Sequence, residues 1–213
     1  GNDSISAGND DDVVTLTGGV NTLDAGSGND TITLGSGTDN INANSGADLI
    51  QANANLTVAD TITGGSDADK LTISNDTART DLDNVTQVET IELLDGNSFA
   101  YTISNSSAFD GDATGVTIDG DALTGTDTLD FSATNLSRAI TILGGAGNDT
   151  VVDGGGNDSI VTNDGADTIT LSAGDNTAVS GDGNDTIVGG TGNDSISAGN
   201  DDDVVTLTGG VNT

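Results

Sequence analysis

The sequence predicts an all-β chain: a right-handed parallel β-roll or β-helix solenoid with an irregular central section, itself β-helical or a small β-sandwich. Three observations predict it. An Asp or Asn followed two places later by an aliphatic residue recurs every nine residues at both ends of the chain. The 213 residues include 32 Gly and no Pro, with Gly gathered just ahead of the recurring Asp. The opening stretch Gly1–Thr22 returns without a substitution at Gly192–Thr213. A nine-residue unit with one inward aliphatic side chain cannot bury it alone, so units must stack on one another.

Residues 1–73 form the first regular stretch. Its beat runs Asp3/Ile5, Asp12/Val14, Asn21/Leu23, Asp30/Ile32, Asp39/Ile41 and Asp48/Ile50, then slips by three residues to Asp60/Ile62 and Asp69/Leu71. The aliphatic residue with its Thr, Ser or Val neighbours reads as a short strand. The preceding Gly-x-Gly-x-Asp reads as a tight turn in which Gly supplies positive φ. Two such units make one coil, with strands on opposite walls and turns in two columns.

The central section, residues 74–143, loses the beat but keeps β-rich phrases: "TIELL" at 90–94, "YTI" at 101–103, "VTI" at 116–118, "TLDF" at 128–131 and "AITIL" at 139–143. Each is about one longer coil from the next. All four aromatic residues, Phe99, Tyr101, Phe109 and Phe131, lie here, and the three basic ones, Lys70, Arg79 and Arg138, lie in or beside it. They read either as filling for wider coils or as a surface that docks a neighbouring molecule. "DGDATGVTIDGD" at 110–121 places Asp110, Asp112, Thr114, Gly115 and Asp121 at EF-hand loop positions, but Ile118 takes a polar place and strands flank it. A turn between strands is the expectation.

Residues 144–213 resume the beat with Asp149/Val151, Asp158/Ile160, Asp167/Ile169, Asn176/Ala178, Asp185/Ile187, Asp194/Ile196, Asp203/Val205 and Asn212. Residues 192–213 read as the start of a further copy, 191 residues after Gly1. Ala178 underfills the interior, and Asp10, Asp67 and Asp201 stand where a turn Gly is expected.

Charge narrows the chemistry. Asp and Glu number 35 against three Lys and Arg, for a formal net charge of −32. Such a composition is either disordered or neutralised from outside. Only Glu89 and Glu92 are Glu; the bias to Asp suits turns. Stacked columns of Asp need cations between them, and oxygen ligands without His or Cys select a hard ion, Ca²⁺ ahead of Zn²⁺ or Cu²⁺. The absence of Cys excludes disulfides and thiolate sites. So negative a field repels nucleic acid, and no apolar run predicts membrane insertion. Without His or Cys, and with Asp already committed to turns, no catalytic constellation is expected.

"GGAGNDTVV" (144–152) and "GGTGNDSIS" (189–197) resemble the RTX nonapeptide G-G-x-G-x-D-x-U-x. The resemblance implies a calcium-binding β-roll with several ions. The ions would be held by Asp3, Asp12, Asp30, Asp39, Asp48, Asp60, Asp69, Asp149, Asp158, Asp167, Asp185, Asp194 and Asp203. Backbone carbonyls would join them from the turns bearing Gly26, Gly28, Gly35, Gly37, Gly145, Gly147, Gly154, Gly156, Gly181, Gly183, Gly190 and Gly192. "VTQVETIEL" (85–93) is similar to segments of RTX-type bacterial surface-layer proteins. The resemblance implies a non-enzymatic, secreted repeat unit of a self-assembling surface layer, sheath, filament or adhesin stalk at the cell surface. The alternative is the secretion and folding block of a toxin or exoenzyme. A ligand-binding module of the ice-binding kind needs a rank of Thr at the third turn position, where Ala146, Gly155, Ser27 and Ser36 stand beside Thr191. Further copies of the chain are the expected partners, with cell-surface polysaccharide or lipopolysaccharide reached through another domain.

Overall fold

A computed structural model of the chain describes residues 1–74, 81–94, 98–111 and 115–213. Among the described residues the strands alternate between two walls of a flattened coil. One wall is a continuous ten-stranded sheet. It stacks β2 (Val13–Thr15), β4 (Thr31–Thr33), β6 (Leu49–Asn53), β8 (Lys70–Ile73), β10 (Thr90–Leu93), β12 (Val116–Asp119), β14 (Ile140–Leu143), β16 (Ser159–Val161), β18 (Thr177–Val179) and β20 (Ser195–Ser197).

The strands between them form two sheets. The first holds β1 (Ser4–Asn9), β3 (Gly18–Ser27), β5 (Ser36–Ser45), β7 (Thr61–Ser66) and β9 (Val85–Thr86). The second holds β11 (Phe99–Thr102), β13 (Leu129–Ser132), β15 (Thr150–Val152), β17 (Thr168–Thr170), β19 (Thr186–Gly189) and β21 (Val204–Leu207). Every pairing is parallel, as coils stacked in one direction require.

Register follows from the aliphatic beat. In the continuous sheet Val14, Ile32, Ile50, Leu71, Ile91, Ile118, Ile142, Ile160, Ala178 and Ile196 lie one opposite the next, a single rank from end to end. Ile5, Leu23, Ile41, Ile62 and Val85 form the facing rank in the first half. A one-residue slip would turn every one of these side chains to water, which fixes the pairing.

The central section continues the solenoid; it is no separate sandwich. Regular coils advance eighteen residues, Thr31 lying opposite Leu49. Here Thr90 lies opposite Thr117 and Phe99 opposite Leu129. The longer coils enclose more interior, and the aromatics fill it: Phe99, Tyr101, Phe109 and Phe131 are all buried. Phe99 and Tyr101 stack with ring centroids 6.1 Å apart. Tyr101 lies opposite Phe131 and Phe131 opposite Val151, so side chains shrink as the coil narrows back to eighteen residues. The second wall breaks in the widest coil. Phe109 donates its N–H to the Val85 carbonyl, beside β9, while β11 earlier in that coil opens the next sheet.

The aromatic cluster therefore serves as core. Lys70 lies 3.5 Å from Glu92 one coil on; Arg79 lies outside the described residues. So do Asp112 and Thr114 of the EF-hand-like phrase, whose later part is strand β12 with Ile118 buried in the continuous rank.

Ile142 is fully buried between Ile118 and Ile160. Ile142→Ala is expected to destabilise the cation-loaded chain by about 2–5 kcal/mol in thermal or denaturant unfolding. Val13→Ala, at a side chain 80% exposed, is expected to change stability by no more than about 0.5 kcal/mol.

Candidate metal centres

Every regular turn places an Asp or Asn at its sixth position, and away from the first and last coils the fold buries that side chain. Asp30, Asp39, Asp48, Asp60, Asp69, Asp149, Asp158, Asp167, Asp185 and Asp194 are each at most 2% exposed. Burial of so many carboxylates demands partners, and the first oxygen of each finds one in the preceding coil. Asp30 N–H donates to Asp48 Oδ1 at 2.7 Å, Asp48 N–H to Asp69 Oδ1 at 2.8 Å, and Asp149 N–H to Asp167 Oδ1 at 2.8 Å. Asp167 N–H reaches Asp185 Oδ1 at 2.8 Å, and Asp185 N–H reaches Asp203 Oδ1 at 3.0 Å. Asn21 and Asn176 keep the rung with their amide oxygens, accepting from Asp3 and Asp158.

The second oxygen divides the predicted ligands. Oδ2 of Asp12, Asp30, Asp48, Asp69, Asp158, Asp167, Asp185 and Asp194 is buried without a hydrogen-bond partner. By contrast, Asp39 Oδ2 accepts from Gly35 N–H, Asp149 Oδ2 from Gly145 N–H, and Asp60 Oδ2 from the N–H and hydroxyl of Thr57. Asp3, in the first coil, is exposed, and Asp203 is only partly covered. Eight of the predicted carboxylates thus carry an unmet charge-bearing oxygen, and three have it satisfied by the chain itself.

The turns supply neutral oxygens. Gly147, Gly165 and Gly183 stack in one column, and Gly156, Gly174 and Gly192 in the other. The carbonyl oxygens of Gly147, Gly156, Gly165, Gly174 and Gly192 each lie where a Cβ on the Gly one coil on would stand, and after Gly183 that place is taken by Asp201. Positive φ recurs at Gly26, Gly28, Gly37, Gly156, Gly181, Gly183 and Gly192. Asp10, Asp67 and Asp201 adopt φ of 74°, 82° and 81° in place of the Gly expected there. The other turn glycines, Gly35, Gly145, Gly154 and Gly190, are needed for space: a Cβ would meet backbone of the preceding coil.

Buried oxygens of one sign, alone in a turn, raise the cost of ionisation. Burial pushes Asp69 and Asp153 up to about 7 and Asp167 to about 6, and raises Asp48, Asp60, Asp149 and Asp158. Repulsion from Asp48, Glu89 and Asp67 adds to the effect at Asp69. Among the described residues, no three acidic side chains converge on one point. The oxygens the turns can offer are one carboxylate Oδ2 per turn and the carbonyls of the Gly-rich segment, a donor set of oxygen throughout that suits a hard divalent ion.

Three participants escaped the reading of the sequence. The fifth turn position carries a second ladder of opposite sense: Asn148 Oδ1 accepts from Ala166 N–H at 2.9 Å, and Asn157, Asp175 and Asn193 continue it on the other column. Glu89 takes the sixth-position role where the beat falters, its Oε2 accepting from Asp69 N–H at 2.7 Å; its placement two residues before Ile91 was the available signal. Asp153, at the first position, is fully buried with Oδ2 unpartnered, while its Oδ1 accepts from Ser172 N–H at 2.5 Å.

The sequence model of the RTX calcium-binding nonapeptide repeat (four copies) matches residues 1–23, 15–50, 59–72, 143–178 and 179–213, well over half of the chain. No curated protein matches the chain.

Asp167→Asn is expected to keep the rung, as Asn176 and Asn21 do, and to remove one unmet charge. Calorimetric titration should then show weaker or fewer bound cations with an unchanged circular dichroism spectrum at saturation. The cation-free fold should also respond to pH. A carboxyl held at about 7 in the fold against an ordinary 3.8 binds its proton more tightly when folded. Its stabilising contribution is complete below 3.8 and is lost as pH rises through about 7. In chelator, the chain should therefore be more ordered and harder to unfold near pH 5 than near pH 8.

Proposed function

Because the chain belongs to the RTX calcium-binding nonapeptide repeat family, we propose that it is a structural repeat unit of a secreted, self-assembling bacterial surface protein. RTX repeats are characteristic of secreted proteins, and no helix among the described residues is long and apolar enough to cross a membrane. The observation that carries the reading is the return of Gly1–Thr22 at Gly192–Thr213 in the same nine-residue register, with both copies built into coils of one solenoid. A toxin's secretion block has no need to restart its own sequence; a stacked array does.

Bound Ca²⁺ supplies the positive charge that a chain of net charge −32 lacks. The chain's own part is to present it with Oδ2 of Asp30, Asp48, Asp69, Asp158, Asp167, Asp185 and Asp194 beside the turn carbonyls. Each Oδ1 meanwhile stays clamped to the neighbouring coil. Before the coils stack these groups are not assembled, so binding free energy becomes folding free energy. Extracellular modules of this kind work at roughly 10⁻⁴–10⁻³ M Ca²⁺, which favours an expanded chain in the cytosol and a folded one after export. The role is non-catalytic: the turn carboxylates are engaged in holding coils together. A sheath, layer, filament or stalk then follows from copies placed end to end.

Titration with Ca²⁺, followed by circular dichroism and small-angle scattering, tests the reading. The expected result is a cooperative passage from an expanded, disordered chain in chelator to a compact β-rich one. A chelated chain at neutral pH that is already as compact and β-rich as the loaded one would overturn it.

A further inference from the structure

The two copies of the twenty-two-residue stretch do not occupy equivalent places in the coil. Ser4–Asn9 forms β1, outside the continuous sheet, and Val13–Thr15 forms β2 within it. At the far end the assignment is reversed. Ser195–Ser197, twin of Ser4–Ser6, forms β20 within the continuous sheet, and Val204–Leu207 forms β21 on the facing wall. From β1 to β20 the chain takes nineteen strand steps, alternating walls at each. One 191-residue period is therefore nine and a half coils.

The C-terminal end is open. Ile196, Ala198, Val205 and Leu207 line a hollow there, with Val205 43% and Leu207 54% exposed. The structure shows what covers these side chains, because the same residues stand near the other end. Ile5, twin of Ile196, lies opposite Leu23; Val14, twin of Val205, lies opposite Ile32. Leu16, twin of Leu207, is 5% exposed and donates its N–H to the Thr33 carbonyl. Asp12, twin of Asp203, donates its N–H to Asp30 Oδ1 at 2.8 Å. The segment from Leu23 to Leu34 is thus the demonstrated cover for this hollow, in strand pairing, apolar contact and carboxylate rung alike.

We infer that the C-terminal face receives the Leu23–Leu34 segment of a second copy of this sequence, entered half a coil out of phase, so that successive copies are related by a two-fold screw along the solenoid axis. The inference rests on the tandem reading and sharpens it. The continuous ten-stranded sheet of one copy runs on into the two-sheet wall of the next. Each surface feature of the unit, the wide central coils included, faces opposite sides of the rod in alternate copies. A rod built this way offers the same contacts on both flanks, which suits a lattice of rods more than a strut lying with one face on a surface.

The chain has no cysteine, so single introduced ones report cleanly. The full chain extended by a second copy, residues 1–213 followed by 23–213, carries one spin label per copy in Ca²⁺. Thr168 on β17 and Thr177 on β18 are exposed and lie on opposite walls. With Thr177→Cys in both copies, the labels should sit on opposite walls, ~50 Å apart. With Thr177→Cys in the first copy and Thr168→Cys in the second, they should share a wall at ~43 Å, given about 4.8 Å of axis per coil. Sharp distances in the reverse order would overturn the half-coil phase and leave tandem stacking standing. Broad distributions for both pairs would mean that the copies do not stack, which would overturn the phase and the tandem reading together.

Discussion

The fold depends on a carboxylate asked to do two jobs. At most regular turns an Asp is drawn out of water, accepts at one oxygen an N–H from the adjacent coil and, in eight of them, leaves the other oxygen with nothing. The first contact sets coil spacing and register as firmly as the strand ladders do. The second oxygen is costly by several kcal/mol unless a proton or a cation offsets it, because the carboxylate is buried unpaired and its neighbours carry the same sign. Asn at this position keeps the rung and removes the charge: Asn21 Nδ2 donates to Asp39 Oδ1, while Asn176 Nδ2 is buried without a partner.

The architecture was legible because one constraint repeats. An aliphatic side chain two residues after an Asp, every nine residues, leaves a chain few options, and Val14 to Leu71 and Ile160 to Ile196 form the ranks that spacing predicts. The placing of the sixth-place Asp in stacked turns was legible for the same reason, whereas its burial came only with the fold. What the spacing could not show was which carboxylates stay unmet. That depends on whether a backbone N–H such as Gly35 or Gly145, or a hydroxyl such as that of Thr57, happens to reach Oδ2. Those are three-dimensional accidents of each turn. The fifth-position ladder was hidden because Asn and Asp are ordinary turn residues on local grounds, and their acceptors act on a residue eighteen places away. In the centre the beat fails because coils of unequal length carry no period, although the buried aromatics marked where the interior had to widen.

The two side-chain ladders run in opposite senses. The sixth-position Asp accepts from the coil before it, and the fifth-position Asn or Asp accepts from the coil after it. Interfaces between regular coils are consequently bridged by side chains reaching from both sides, beside the strand and turn bonds. Contacts of this kind join residues about one coil apart and seldom further. Such a chain can begin to order at any regular turn and extend coil by coil, with little loop-closure entropy at each step. The wide central coils, with spans such as Phe99 to Leu129, are the costliest to close.

The eighteen-residue coil has a mechanical meaning as well. Stacked, one coil occupies about 4.8 Å of the long axis; drawn out, its eighteen residues span about 60 Å. Under tension along the axis, the weakest interface lets go of one coil at a time, and each release lengthens the chain roughly twelvefold over the segment lost. The bonds broken are local, so the coil can wind back when the load falls. A solenoid of this pattern is stiff under small forces and extensible under large ones.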